Sequence, residues 1–137
     1  MHKKILYFIL FIFLFLSLSA CEKQQSIILF NNLPITKENL LNNATEFSTE
    51  KRIYYVFITE LPLKTNQIRV RIMKRDEKAR NQAIKVVYSN DFKLYKDQVY
   101  YYNDYIVINE AGAYCMAIYA KNDLSEPMAV ADFLVKN

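Results

Sequence analysis

The sequence predicts an all-β domain of the sandwich or barrel class, and three observations carry this. Segments rich in Tyr, Phe, Val and Ile recur from residue 26 onward, separated by turn-forming clusters such as "SND", "EAG" and "NDLSEP". The stretch "QIRVRIMK" alternates cleanly, with Ile68, Val70 and Ile72 on one face and Arg69 and Arg71 on the other. A period of two with one apolar face is a half-buried antiparallel strand. The most helix-like run, "KRDEKARNQ", is too short for a packed helix and carries no apolar stripe.

The chain begins differently. Met1, His2, Lys3 and Lys4 form a short positive segment, and an unbroken apolar run follows from Ile5 to Leu16 before the small residues Ser17, Ser19 and Ala20. This is the layout of a secretory signal. The 16 residues from Ile5 to Ala20 fall short of the roughly 20 that a membrane-spanning helix needs. Its end, "LSAC" (Leu18 to Cys21), resembles the lipobox of bacterial lipoproteins. That resemblance implies cleavage before Cys21, a diacylglycerol on its thiol and an acyl chain on the new amino group. Each buried methylene contributes about 0.8 kcal/mol, and two or more chains anchor stably. The expected organisation is a signal peptide over 1–20, a lipidated cysteine and polar tether over 21–26, and one domain over 27–137. The implied location is the bacterial cell envelope, attached to a membrane through lipid, with the periplasmic or surface face left open.

Within the domain, residues 34–51 are the most polar long stretch and read as loop, with one short helical turn around Lys37 to Leu41. The predicted strands are Ser26–Asn31, Arg52–Glu60, Gln67–Lys74, Ala83–Ser89, Phe92–Tyr95, Val99–Tyr102, Tyr105–Asn109, Ala113–Lys121 and Met128–Lys136.

The C-terminal stretch narrows the class. In "NEAGAYCMAIYAKNDLSEPMAVADFLVK", Glu110, Gly112 and Tyr114 stand in the order of a tyrosine corner, which opens strand F of an immunoglobulin-like sandwich. The resemblance implies a single antiparallel β-sandwich of immunoglobulin or fibronectin type. It implies Tyr114, Met116, Ile118, Phe133 and Val135 facing the core, with the Tyr114 hydroxyl bonded to upstream backbone. Cys115 follows the tyrosine directly and therefore faces away from that core. The absence of Trp and of a second core cysteine sets the chain apart from the disulfide-bearing antibody type.

Composition closes several classes. From Cys21 to Asn137 the chain has 117 residues, enough for one core without disulfide staples. Removing Lys3 and Lys4 leaves 16 basic against 14 acidic residues, interspersed, which gives no footprint for nucleic acid. The single His, His2, leaves with the signal, so no imidazole serves a nucleophile or a zinc ion. One Gly, Gly112, makes no phosphate cradle. Asp97, Asp104 and Glu110 border turns without the dense spacing of a calcium loop. Neither a metal nor any cofactor beyond the lipid on Cys21 is expected, and the chain reads as no enzyme. With Cys21 acylated, Cys115 is an unpaired, packed thiol or one half of an intermolecular bridge.

Two features remain as candidate contacts. "QVYYYNDYIVI" puts Tyr100 and Tyr102 on one face and Tyr101 on the other. Such tyrosines serve either cross-strand packing or recognition. Arg69 and Arg71 project about 7 Å apart, as a solvated face or as ligands for an anionic headgroup or acidic partner. The expected function is a lipid-anchored, non-enzymatic protein-binding module using Tyr100, Tyr102, Arg69 and Arg71. The alternatives are an inhibitor of an incoming hydrolase and a carrier of a small apolar ligand.

Overall fold

The computed structural model describes residues 25–75 and 84–137. The leader, Cys21 and most of "KRDEKARNQ" therefore lie outside the described residues. Eight strands form two packed sheets: β1 (Ser26–Asn31), β2 (Glu46–Ser48), β3 (Arg52–Thr59), β4 (Gln67–Arg75), β5 (Ile84–Lys93), β6 (Tyr101–Val107), β7 (Gly112–Ala120) and β8 (Ala129–Lys136). One sheet has the order β1-β3-β6 and the other β2-β8-β7-β4-β5. The domain is a β-sandwich, as the sequence predicts, and antiparallel except where β2 runs parallel to β8.

The core follows from alternation. Ile28 and Phe30 of β1, Ile53, Tyr55 and Phe57 of β3, and Tyr102 and Ile106 of β6 point between the sheets. Ile68, Val70 and Ile72 of β4 meet them from the other sheet, with Met116 and Ile118 of β7 and Phe133 and Val135 of β8. Phe30, Phe47 and Phe133 form an aromatic cluster with centroids 4.9 to 6.2 Å apart. Burying these rings together with the aliphatic side chains around them is the main favourable contribution to folding.

Three differences from the sequence reading have physical causes. β2 lies inside the predicted loop, because Phe47 inserts into the core while Leu134 N–H donates to Thr45 C=O at 2.8 Å. The predicted turn at 37–41 is present. Ala83–Ser89 and Phe92–Tyr95 merge into β5, with Ala83 outside the described residues. "SND" does not break the strand, since Asp91 pairs with Arg69 across to β4. Val99–Tyr102 and Tyr105–Asn109 merge likewise into β6, where Asp104 accepts a hydrogen bond from the Tyr102 hydroxyl at 3.0 Å. In both places a specific side-chain partner overrides local turn preference.

The tyrosine corner forms. The Tyr114 hydroxyl donates to the Glu110 carbonyl at 2.7 Å, and its ring stacks on Phe133 with centroids 5.6 Å apart. Cys115 faces away from the core, buried on the outer side of the five-stranded sheet.

Candidate functional site

The two outer faces of the sandwich differ in chemistry. On the five-stranded sheet the outward positions include Arg69, Arg71, Arg75, Asp91, Asp132 and Lys136. Most of these charges are engaged with one another. Arg69 donates from Nε and Nη2 to the two oxygens of Asp91 at 2.7 and 3.0 Å, and Lys121 donates to the same carboxylate. These cations hold the Asp91 carboxyl well below the usual carboxylate range, the Arg69 hydrogen bond first. Arg75 donates to Asp132 at 2.9 Å, and the Arg71 guanidinium lies 5.0 Å from the Tyr119 ring centroid.

The two candidate arginines therefore do project from one face, half-buried, as the alternation predicts. They are tied into the sheet rather than presented freely. An acidic ligand would have to displace Asp91 from Arg69, which gives these residues a structural role first.

The tyrosines separate. Tyr100 precedes β6 and is 50% exposed, whereas Tyr102 is 7% exposed and packs among Tyr55 and Phe92, with ring centroids 6.2 and 5.4 Å away. Burial pushes the Tyr102 hydroxyl well above its ordinary pKa, with nearby Asp104 adding to the effect. Tyr102 is thus corrected from a contact residue to a core residue, since its ring fills the space between the edges of β5 and β6.

The outer face of the three-stranded sheet is apolar instead. Its cross-strand rows are Ile27–Ile58–Tyr101, Leu29–Val56–Asn103 and Asn31–Tyr54–Tyr105, followed by Arg52 opposite Val107. Ile27, Tyr101, Tyr105 and Val107 are exposed, while Val56 is buried outside the continuous core. Arg52 is the one charged side chain among these outward positions, and its guanidinium sits 4.5 Å from the Tyr105 ring centroid. An antiparallel sheet with one wet face ordinarily alternates polar outward, so this face departs from the pattern. Composition hinted at it through the tyrosines. The rows themselves depend on strand register, which the sequence does not display.

The open side of the sandwich supplies a third feature. β5 and β6 end their respective sheets on the same side, and between them lies a cleft of about 400 Å3. Ile72, Val87, Tyr88, Ile106, Ile108 and Tyr114 line it, and Glu110 stands among its lining residues, paired with Lys74. β5 exposes Ile84, Val86 and Val87; Val87 lines the cleft, whereas Ile84 and Val86 stand opposite Arg75 and Met73 on the outer side of the sheet. No described strand pairs with the far edge of β5. A register shift opposite Ile72 and Met73 leaves Val87 as a bulge in that edge.

Among the described residues no three His, Cys, Asp or Glu side chains gather as a metal would require. Cys115 is a free, buried thiol whose pKa is raised by burial first and by Asp132 second. The described groups thus supply no positive sign of catalytic chemistry.

No known protein family matches the chain, and no curated protein matches it in sequence. Among solved structures it is similar to the PmoD soluble domain of a Methylocystis species, with 15% identity and a TM-score of 0.50 over 82% of this chain and 92% of that one. It is also similar to a CARDB domain from Pyrococcus furiosus solved in complex with di-metal ions, at 8% identity and a TM-score of 0.41, covering 82% and 93% of the two chains. A third similarity is to the Pseudomonas fluorescens alkylpurine DNA glycosylase AlkC, at 12% identity and a TM-score of 0.41, over 80% of this chain but 30% of the enzyme. Likeness at the level of the first of these shows a shared β-rich fold alone.

Proposed function

We propose that this chain is a lipoprotein of the bacterial cell envelope, held through lipid on Cys21, whose sandwich binds another protein without catalysing a reaction. The anchor is supported by the order of the N-terminal segment: basic residues, an apolar run, then "LSAC". Binding is supported by the open side of the sandwich. Unpaired backbone along Ile84–Tyr88 flanks an apolar cleft, and an extended segment of a protein partner would fit it by strand addition. Main-chain hydrogen bonds to β5 would give affinity. Alternate apolar side chains of the partner would enter the cleft lined by Val87, Ile106 and Ile108. The bulge at Val87 and the charge of Lys85 guard the same edge against indiscriminate pairing.

The cleft also favours a second reading, carriage of a small apolar ligand, because its volume lies in the range of ligand pockets. Site-specific photo-crosslinking in living cells separates the two. A photoreactive residue at Val86 gives a discrete protein adduct if a partner adds to β5, while the same residue at Asn122, an exposed turn position, gives none. Absence of any adduct at Val86, in cells where the protein is present and processed, overturns the protein-binding reading.

A further inference from the structure

We propose that the outer face of the three-stranded sheet rests on the lipid surface to which the chain is anchored. The inference depends on the lipid anchor proposed above for Cys21. Four residue steps separate Cys21 from Gln25, at most about 14 Å of extended chain. Gln25 is fixed at one end of this sheet, its carbonyl accepting from the Glu60 N–H at 3.1 Å. The row Ile27–Ile58–Tyr101 lies directly beside that point. The anchor therefore delivers this end of the sheet to the headgroups, and such tethering raises the local concentration of lipid enough for a modest apolar surface to engage.

The chemistry of the face suits that occupant. Tyrosine, with an apolar ring and a polar tip, partitions to membrane–water interfaces. Tyr54, Tyr101 and Tyr105 stand on this face with Ile27, Leu29 and Val107 among them. Within the strands no outward position holds a carboxylate, Glu60 coming just beyond the end of β3 opposite Gln25, and the one outward charge there, Arg52, is of the sign that anionic lipids attract. The five-stranded sheet presents ion pairs instead and would carry a large desolvation cost on the same surface. With this face against lipid, the β5 edge stays open at the side of the domain for a protein.

The chain contains no tryptophan, so one introduced indole is a unique probe. Full-length protein carrying Tyr101→Trp, and a second version carrying Tyr119→Trp on the opposite sheet, would be purified from cells. Each would be floated with vesicles of phosphatidylethanolamine and phosphatidylglycerol whose acyl chains are brominated. The expected result is flotation of both, with a blue-shifted and quenched emission for Tyr101→Trp and neither change for Tyr119→Trp. Flotation without quenching at Tyr101→Trp overturns the lipid assignment, leaves the anchor standing and gives the face to a protein partner. Failure to float removes the anchor itself, and the lipid-facing assignment falls with it. Unchanged melting midpoints establish that both variants remain folded.

Discussion

The Tyr114 hydroxyl donates to the Glu110 carbonyl at 2.7 Å, closing a loop of backbone at the start of β7. The ring beneath that hydroxyl stacks on Phe133. The bond thus joins the turn before β7 to the aromatic cluster that β8 completes. Tyr114→Phe keeps the ring and deletes the bond, leaving a carbonyl to find water. A net loss of about 1 kcal/mol is expected. Urea unfolding measures it. An unchanged midpoint would show the bond to be immaterial to stability.

Tyr100 and Tyr102, two residues apart, should behave oppositely. Tyr102 lies between Tyr55 and Phe92 in the core, so Tyr102→Ala opens a cavity and is expected to cost about 3–5 kcal/mol. Tyr100 is half exposed outside β6, and Tyr100→Ala should stay within about 0.5 kcal/mol. Equal losses in thermal or urea unfolding would contradict this division between core and surface.

That pair also shows what the sequence made legible. Tyr100 and Tyr102 share strand parity, but β6 begins only at Tyr101, so parity did not carry over to exposure. Alternation in "QIRVRIMK" and the spacing of Glu110, Gly112 and Tyr114 were sufficient for β4, β7 and their inward residues. β2 escaped because three residues hold too little pattern; lone Phe47 between polar neighbours was its one signal. The breaks expected at Asn90–Asp91 and Asn103–Asp104 failed for a different reason. Each aspartate there has a side-chain partner that turn preference does not anticipate: Arg69 on the neighbouring strand for Asp91, and the Tyr102 hydroxyl, two residues away on the same strand, for Asp104. The apolar outer face was hidden for the most physical reason of all. It exists only once β1, β3 and β6 are in register.

The Asp91 cluster predicts a specific pH dependence. Arg69 and Lys121 hold the Asp91 carboxyl far below its unfolded value. A depressed folded pKa means that the contribution is complete above the unfolded carboxylate range, near pH 4, and fades as pH falls toward the folded value. Asp91→Asn should therefore lower the melting midpoint at pH 7. The gap from the parent protein should narrow below pH 4, as the parent loses the same interaction. The group is solvent-facing, so added salt should also shrink the gap at pH 7. A gap that stays constant with both pH and salt would assign the loss to something other than the ion pairs.

Cys115 is buried on the outer side of β7 opposite Asp132, and burial raises its thiol pKa. Thiolate is the reactive form, so both accessibility and protonation suppress reaction. In Cys21→Ser protein, where Cys115 is the one remaining thiol, a disulfide reagent should label it at least ~10-fold more slowly in buffer than in urea. Equal rates would mean that the strand opens readily around Cys115. A covalent dimer through this residue in oxidising buffer would likewise require that opening.

The proposed lipid anchor makes the most consequential prediction. In the proposed lipoprotein, cleavage and lipidation would both converge on Cys21, since the segment from Leu18 to Ala20 offers small or apolar side chains but no other thiol. Cys21→Ala removes the acceptor while leaving the basic start and the apolar run in place. The expected outcome is loss of metabolic labelling by radioactive palmitate, with accumulation of a precursor larger by the leader of 20 residues. The sandwich begins at Ser26, beyond the altered position, so the precursor should retain a folded domain with an unchanged Tyr114–Glu110 corner. Processing at the normal site in Cys21→Ala would identify an ordinary signal peptide instead. The domain would then be released rather than tethered, and the short chain between Cys21 and Gln25 would no longer bring the Tyr101 row to a membrane.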